Sequence, residues 1–163
     1  LQLFNWISMS KKGQEKGNIL TLERYLPYRL SILSNRVSGI IAETYKQKFG
    51  LSITEWRIMA VLGEYQGISA DYVSTKTQIE KSILSRAISK LLQRKLIDRE
   101  FDKGDKRRSA LSLTKTGRSV YDEMVPISYD YEEQLFDCFK PQELEQFSRL
   151  IDRLYEHAES IDG

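Results

Sequence analysis

The chain has 163 residues, 40% of them apolar and 29% charged, which is the composition of an ordinary globular protein long enough to build its own core. One cysteine, Cys138, and one histidine, His157, exclude a disulfide framework, a cysteine-rich metal centre and a two-histidine zinc motif, and leave catalytic triads short of a second base. The longest uncharged run, Leu1–Ser10, is too short to span a bilayer, and no basic residue precedes it as in a secretory leader, so a soluble, cytoplasmic protein is expected.

Net charge is +2, but it is unevenly spread. Residues 1–75 carry +3, residues 76–108 carry +6, residues 109–119 carry +2 and residues 120–163 carry −9. A basic block followed by an acidic one points to a polyanion-binding segment kept apart from a second functional segment.

Residues 1–20 have no sustained period and read as a mobile arm or tag remnant. The chain opens without Met and carries Met9, so its first eight residues are expected to be added sequence or the product of an upstream start. From Leu22 the apolar residues Leu26, Leu30, Leu33, Val37, Ile40, Ile41 and Tyr45 form a stripe at helical spacing. Pro27 either starts or kinks this helix, and Gly50 ends it. Ser52 and Glu55 have capping-box spacing, with Thr54 as a rival cap. The next segment buries Trp56, Met59, Ala60 and Leu62 or Val61, and stops near Gly67. Ser69 caps a short helix containing Val73. A further helix starts near Glu80, with apolar positions Leu84, Ala87, Ile88, Leu91 and Leu92. Leu96–Phe101 and Ser109–Thr114 flank a charged, glycine-containing turn and predict a β-hairpin. Helical period returns after Gly117, with Val120 or Tyr121, Met124, Tyr131, Leu135, Phe136 and Phe139. Pro126 should kink that helix, and Pro141 opens the last one.

Three short helices, a hairpin and a long helix make a mainly α fold, a helix-turn-helix with a β wing. On the third short helix Ser82, Ser85, Arg86 and Ser89 share the face opposite the apolar stripe, with Lys90 beside them. Short hydroxyls let a backbone approach DNA closely, and the Arg86 fork matches the O6 and N7 atoms of guanine. The plainer reading is a solvated polar face. The hairpin tip adds Lys103, Lys106, Arg107 and Arg108, with Asp105 placed to hold Arg107 extended for a minor groove. Its plainer reading is a solubilising edge.

Asp105-Lys106-Arg107, followed by Leu113-Thr114-Lys115-Thr116-Gly117, resembles the MarR family of bacterial winged-helix regulators, whose wing carries D-x-R and then a strand ending in L-T-x-x-G. The resemblance extends over about residues 22–158. It departs from the family at Glu80, where many relatives place a smaller capping residue. It implies an obligate homodimer whose first and last helices interlock, reading a pseudo-palindromic double-stranded operator and nucleoid-associated when bound. Arg107 would then enter the minor groove with Asp105 as its support. The expected divisions are an arm at 1–20, a dimerisation helix at 21–50, a winged DNA-binding lobe at 51–117 and C-terminal dimerisation helices at 118–160. The apolar surface of helices too long for a small lobe motivates the dimer independently.

The resemblance also implies a pocket for a small aromatic carboxylate or phenol. Arg29, Ser34, Trp56, Arg57 and Met59 offer suitable groups. Core packing is the plainer reading of Trp56 and Met59, and surface ion pairing that of Arg29 and Arg57. Tyr25-Leu26-Pro27-Tyr28-Arg29-Leu30 is similar to regulators of hydroxycinnamate breakdown. Arg99, at the base of the wing, suits phosphate or ligand equally. Cys138 is expected to be a buried, inert thiol, with redox sensing as the alternative. An effector-free DNA-packaging protein is the other alternative. No glycine-rich phosphate loop, nucleophile motif or metal spacing is present, so no enzyme activity, cofactor or metal is expected.

Overall fold

A computed structural model describes residues 20–101 and 109–162. By contact the described residues fall into two compact units, divided after Ile53.

In the first unit a 3-10 turn, Leu22–Arg24, leads into α1, Leu26–Phe49. Pro27 stands in its first turn, where its missing N–H breaks no helical bond, so the helix starts there and is not kinked by it. Gly50 closes α1 at φ 62°, a left-handed conformation that glycine adopts without a β-carbon penalty. Ile41, Tyr45 and Leu51 are buried, whereas Tyr25, Leu26, Leu30, Ile32, Leu33 and Ile40 are exposed.

The second unit contains α2 (Ile53–Glu64, apart from its first residue), α3 (Ala70–Thr77) and α4 (Lys81–Gln93). They are followed by β1 (Ile97–Phe101), β2 (Ser109–Leu113), α5 (Lys115–Phe136) and α6 (Pro141–Asp162). The strands pair antiparallel from Ile97 opposite Leu113 to Phe101 opposite Ser109. Ile68 adds a third, short edge through a bridge to Leu111. This is the mainly helical fold with a hairpin wing that the sequence predicts. The core of this unit is built from Ile58, Met59, Leu62, Val73, Leu84, Ile88, Leu91, Ile97, Leu111 and Met124.

Several local expectations need correction. Thr54 lies inside α2, which starts right after Ser52. That helix ends at Glu64, before Gly67, and buries Ile58 while Ala60 is only half-buried. Leu92 is also half-buried. Gly117 does not precede α5 but lies within its first turn, because Thr114 caps the helix and accepts the amide of Gly117 at 2.9 Å. Pro126 lies inside α5, which continues past it to Phe136. Cys138 is exposed rather than buried. The neighbouring aromatics pack on one another, Phe139 against Phe147 at 5.4 Å and Phe136 against Phe147 at 6.2 Å, and leave the thiol outside, donating to the carbonyl of Leu135 at 3.8 Å. Among the described residues no helix is long and apolar enough to cross a membrane.

Candidate nucleic-acid interface

The helix-turn-helix is built by side chains that satisfy the backbone at each corner. Ser69 caps α3 by accepting the amide of Tyr72 at 3.1 Å. At the far end Gln78 turns left-handed, φ 53°, and the Ser74 hydroxyl donates to the carbonyl of Ile79 at 3.0 Å. Glu80 then caps α4. Its carboxylate accepts the amide of Ser82 at 2.9 Å and the Ser82 hydroxyl as well. These two bonds, with the hydroxyl the larger influence, hold the Glu80 carboxyl below the usual carboxylate range. Glu80 is therefore a working cap. The only sequence sign of it is a carboxylate placed just ahead of a helix start.

Leu84, Ala87, Ile88 and Leu91 seat α4 in the core. Burying a side chain the size of leucine or isoleucine is worth roughly 1.5–3 kcal/mol. The Asp71–Lys81 ion pair, 3.4 Å long with both side chains more than four-fifths exposed, is worth about 0–1 kcal/mol. The core, not the ion pair, sets which face of α4 looks outward. On that face Ser82, Ser85, Arg86, Ser89 and Lys90 are all exposed. The Ser82 and Ser89 hydroxyls commit their protons to Glu80 and to the Ser85 carbonyl, the latter at 2.9 Å, and keep lone pairs for an incoming donor. Arg86 donates from Nε to the Ser82 carbonyl at 3.3 Å. Giving up that long bond costs about 0.5–1.5 kcal/mol, less than the roughly 1–3 kcal/mol of a bidentate base contact.

On α3, Lys76 stands over the rings of Tyr65 at 5.3 Å and Tyr72 at 5.7 Å, which positions a cation on the first helix of the motif. Sequence reading missed it because Tyr65 lies eleven residues away, in the loop after α2.

The base of the wing is fixed to α5. The Thr114 hydroxyl donates to the carbonyl of Lys95 at 2.7 Å, and the Thr114 amide donates to the carbonyl of Leu96 at 3.1 Å. Leu113-Thr114-x-x-Gly117 is thus a structural clamp joining strand, helix cap and the turn after α4. Arg99 is exposed on β1. Lys103, Asp105, Lys106, Arg107 and Arg108, the predicted wing tip, lie outside the described residues.

Of the residues predicted to line an effector pocket, Arg29 and Ser34 belong to the first unit and Trp56, Arg57 and Met59 to the second. Arg29 lines a cleft of about 500 Å3 with Glu23, Leu26, Tyr28, Leu33 and Arg36, and Ser34 does not. Tyr28, noted in the sequence only as part of the run Tyr25–Leu30, and Arg36, two helical turns beyond Arg29, are not among the expected pocket residues. In the second unit Trp56 and Met59 are buried and Arg57 is exposed. Trp56 stacks on Tyr121 with ring centroids 5.9 Å apart, and Arg118, lying over the same tyrosine, donates to the carbonyl of Gly63 at 3.1 Å. Trp56 and Met59 thus pack into the core of this unit.

This arrangement has solved counterparts. A MarR-family transcriptional regulator from Silicibacter pomeroyi is 30% identical, the match covering 82% of this chain and 89% of that one, with a TM-score of 0.68. The chain belongs to the MarR family. The family signature itself matches residues 49–108. A MarR/EmrR family transcriptional regulator from Acinetobacter sp. ADP1 is 28% identical, with 86% and 99% of the two chains covered and a TM-score of 0.79. The HTH-type transcriptional regulator BilQ of Clostridium symbiosum is 23% identical over 108 residues, 66% of this chain and 75% of that protein. This MarR-family chain is accordingly a DNA-binding transcriptional regulator, and its relatives are regulators rather than enzymes.

Proposed function

We propose that the protein is a cytoplasmic, homodimeric, ligand-responsive repressor that binds a pseudo-palindromic operator and is released by a small aromatic acid such as a hydroxycinnamate. The observation that carries the reading is the polar outward face of α4, with Arg86 among three serines on a helix seated by its core stripe. In this reading Ser82, Ser85, Arg86, Ser89 and Lys90 enter the major groove. Lys103, Lys106, Arg107 and Arg108, with Asp105 as support, reach the adjacent backbone and minor groove.

Exposed apolar residues supply the motive for dimerisation. Leu26, Leu30 and Leu33 recur along one side of α1, and Leu150, Ile151 and Leu154 along one side of α6. The effector reading rests on the cleft beside α1, where Arg29 and Arg36 offer cations to a carboxylate and Tyr28 a ring to an aromatic body. Ligand binding would favour a spacing of the two lobes that no longer fits consecutive major grooves. A differential affinity of about 1–3 kcal/mol between the two states is enough for such a switch. The exposure of Cys138 favours oxidant input as a second reading.

The test is fluorescence anisotropy on the DNA upstream of the gene against scrambled DNA, with and without a panel of aromatic acids and with peroxide. Selective binding reversed by one acid supports the proposal. Selective binding reversed only by peroxide moves the input to Cys138. Equal, salt-sensitive binding to both duplexes overturns operator recognition.

A further inference from the structure

Ile83 is 44% exposed in the first turn of α4. The other apolar residues of that helix are buried or, for Leu92, half-buried. A lone wet isoleucine is unremarked on most surfaces; its position here is what matters. Residues 83, 86 and 90 are spaced i, i+3 and i+7, so Ile83 shares a ridge with Arg86 and Lys90 in the half of the helix that reads bases. Glu80, one turn earlier on the same ridge, carries a carboxylate that repels phosphate. A base edge in the major groove offers hydrogen-bonding atoms and one apolar group, the C5-methyl of thymine. Isoleucine can use only the last. Its branched side chain holds one preferred rotamer in a helix, so the methyl groups are positioned before DNA arrives.

The geometry points to Ile83 as a specificity-determining residue that packs against the methyl group of a thymine in each half-site. The inference rests on the DNA-reading role proposed for α4, and the experiment separates the two. A binding site is selected from random duplexes with the full chain, and each thymine is replaced in turn by uracil, which removes only the methyl group. The wild-type protein should lose about four-fold in affinity per half-site at one position, the equivalent of one buried methyl. Ile83→Ser should bind the thymine duplex more weakly and show no further loss with uracil, while Ile83→Val keeps the uracil penalty. Melting curves matched to wild type confirm that the variants fold, as expected at an exposed site. A flat uracil scan, a selected half-site without thymine, or an undiminished uracil penalty in Ile83→Ser overturns the assignment while leaving recognition by α4 intact. Failure to select any site overturns both.

Discussion

Gly117 lies so close to the backbone of Leu96 that a β-carbon on it would stand 1.8 Å from the Leu96 carbonyl oxygen. The first turn of α5 and the start of the wing are thus in direct main-chain contact. The Thr114 hydroxyl spans the same junction.

Gly117→Ala should therefore push α5 off the wing. Overpacking of this kind costs about 1–3 kcal/mol, which for a chain of this size lowers Tm by roughly 2–4 °C per kcal/mol. Calorimetry measures it, and an unchanged Tm would mean that the junction yields freely.

Lys95 is left-handed, φ 56°, at the end of α4, where the amides of Lys95 and Leu96 donate to the carbonyls of Leu92 and Leu91. A lysine pays a steric penalty in a position that suits glycine. Lys95→Gly should raise stability by up to about 1 kcal/mol, visible as a higher denaturant midpoint with unchanged slope. A lower midpoint would show that the Lys95 side chain contributes more than its backbone conformation costs.

Glu80 gives the acid side of the stability curve a particular shape. Its folded carboxyl is held low by Ser82, so its contribution is full above the ordinary glutamate value of about 4.3 and is lost as pH falls through the depressed folded value. Glu80→Ala should melt below wild type at neutrality, and the gap should close in acid. Melting curves across that range decide it; a gap independent of pH would mean that the carboxylate is not the cap's active form.

The two arginines proposed to touch DNA should fail differently. Arg86→Ala should relax preference at one base step per half-site, whereas a uniform loss across sequences would recast it as a phosphate contact. Arg107→Ala should weaken operator binding by about 1–3 kcal/mol. Anisotropy titrations on a set of single-base operator variants read both, and unchanged affinity for Arg107→Ala would remove the wing from recognition.

Features set by short-range chemistry were legible in the residues. Ser69 as a cap, Gly50 as a stop and the recurrence of Leu84, Ala87, Ile88 and Leu91 each follow from a few neighbouring positions. The rest depended on contacts distant in sequence. Gly117 looks like a helix breaker until the Leu96 carbonyl, more than twenty residues earlier, explains its missing side chain. Cys138 looks buried among phenylalanines until Phe147 is seen to take their faces. Glu80 makes an unusual cap because a longer side chain must fold back to reach the Ser82 amide. Ile83 interrupts an otherwise polar face, a mismatch that period-counting assigns to noise.

On α5 the fully buried residues are Gly117 and Met124, and Pro126 follows two positions later. Proline cannot donate to the carbonyl four residues back, here Asp122, and its ring crowds it. The hydrogen-bond ladder is interrupted just past the point where α5 leaves the core. The part before it is held by Leu96, Trp56 and Gly63; the part after it carries Asp130, Glu132 and Glu133 on an exposed surface. A bend at Pro126 would swing the acidic half of the helix like a lever on a fixed mount, leaving the packing around the reading helix undisturbed.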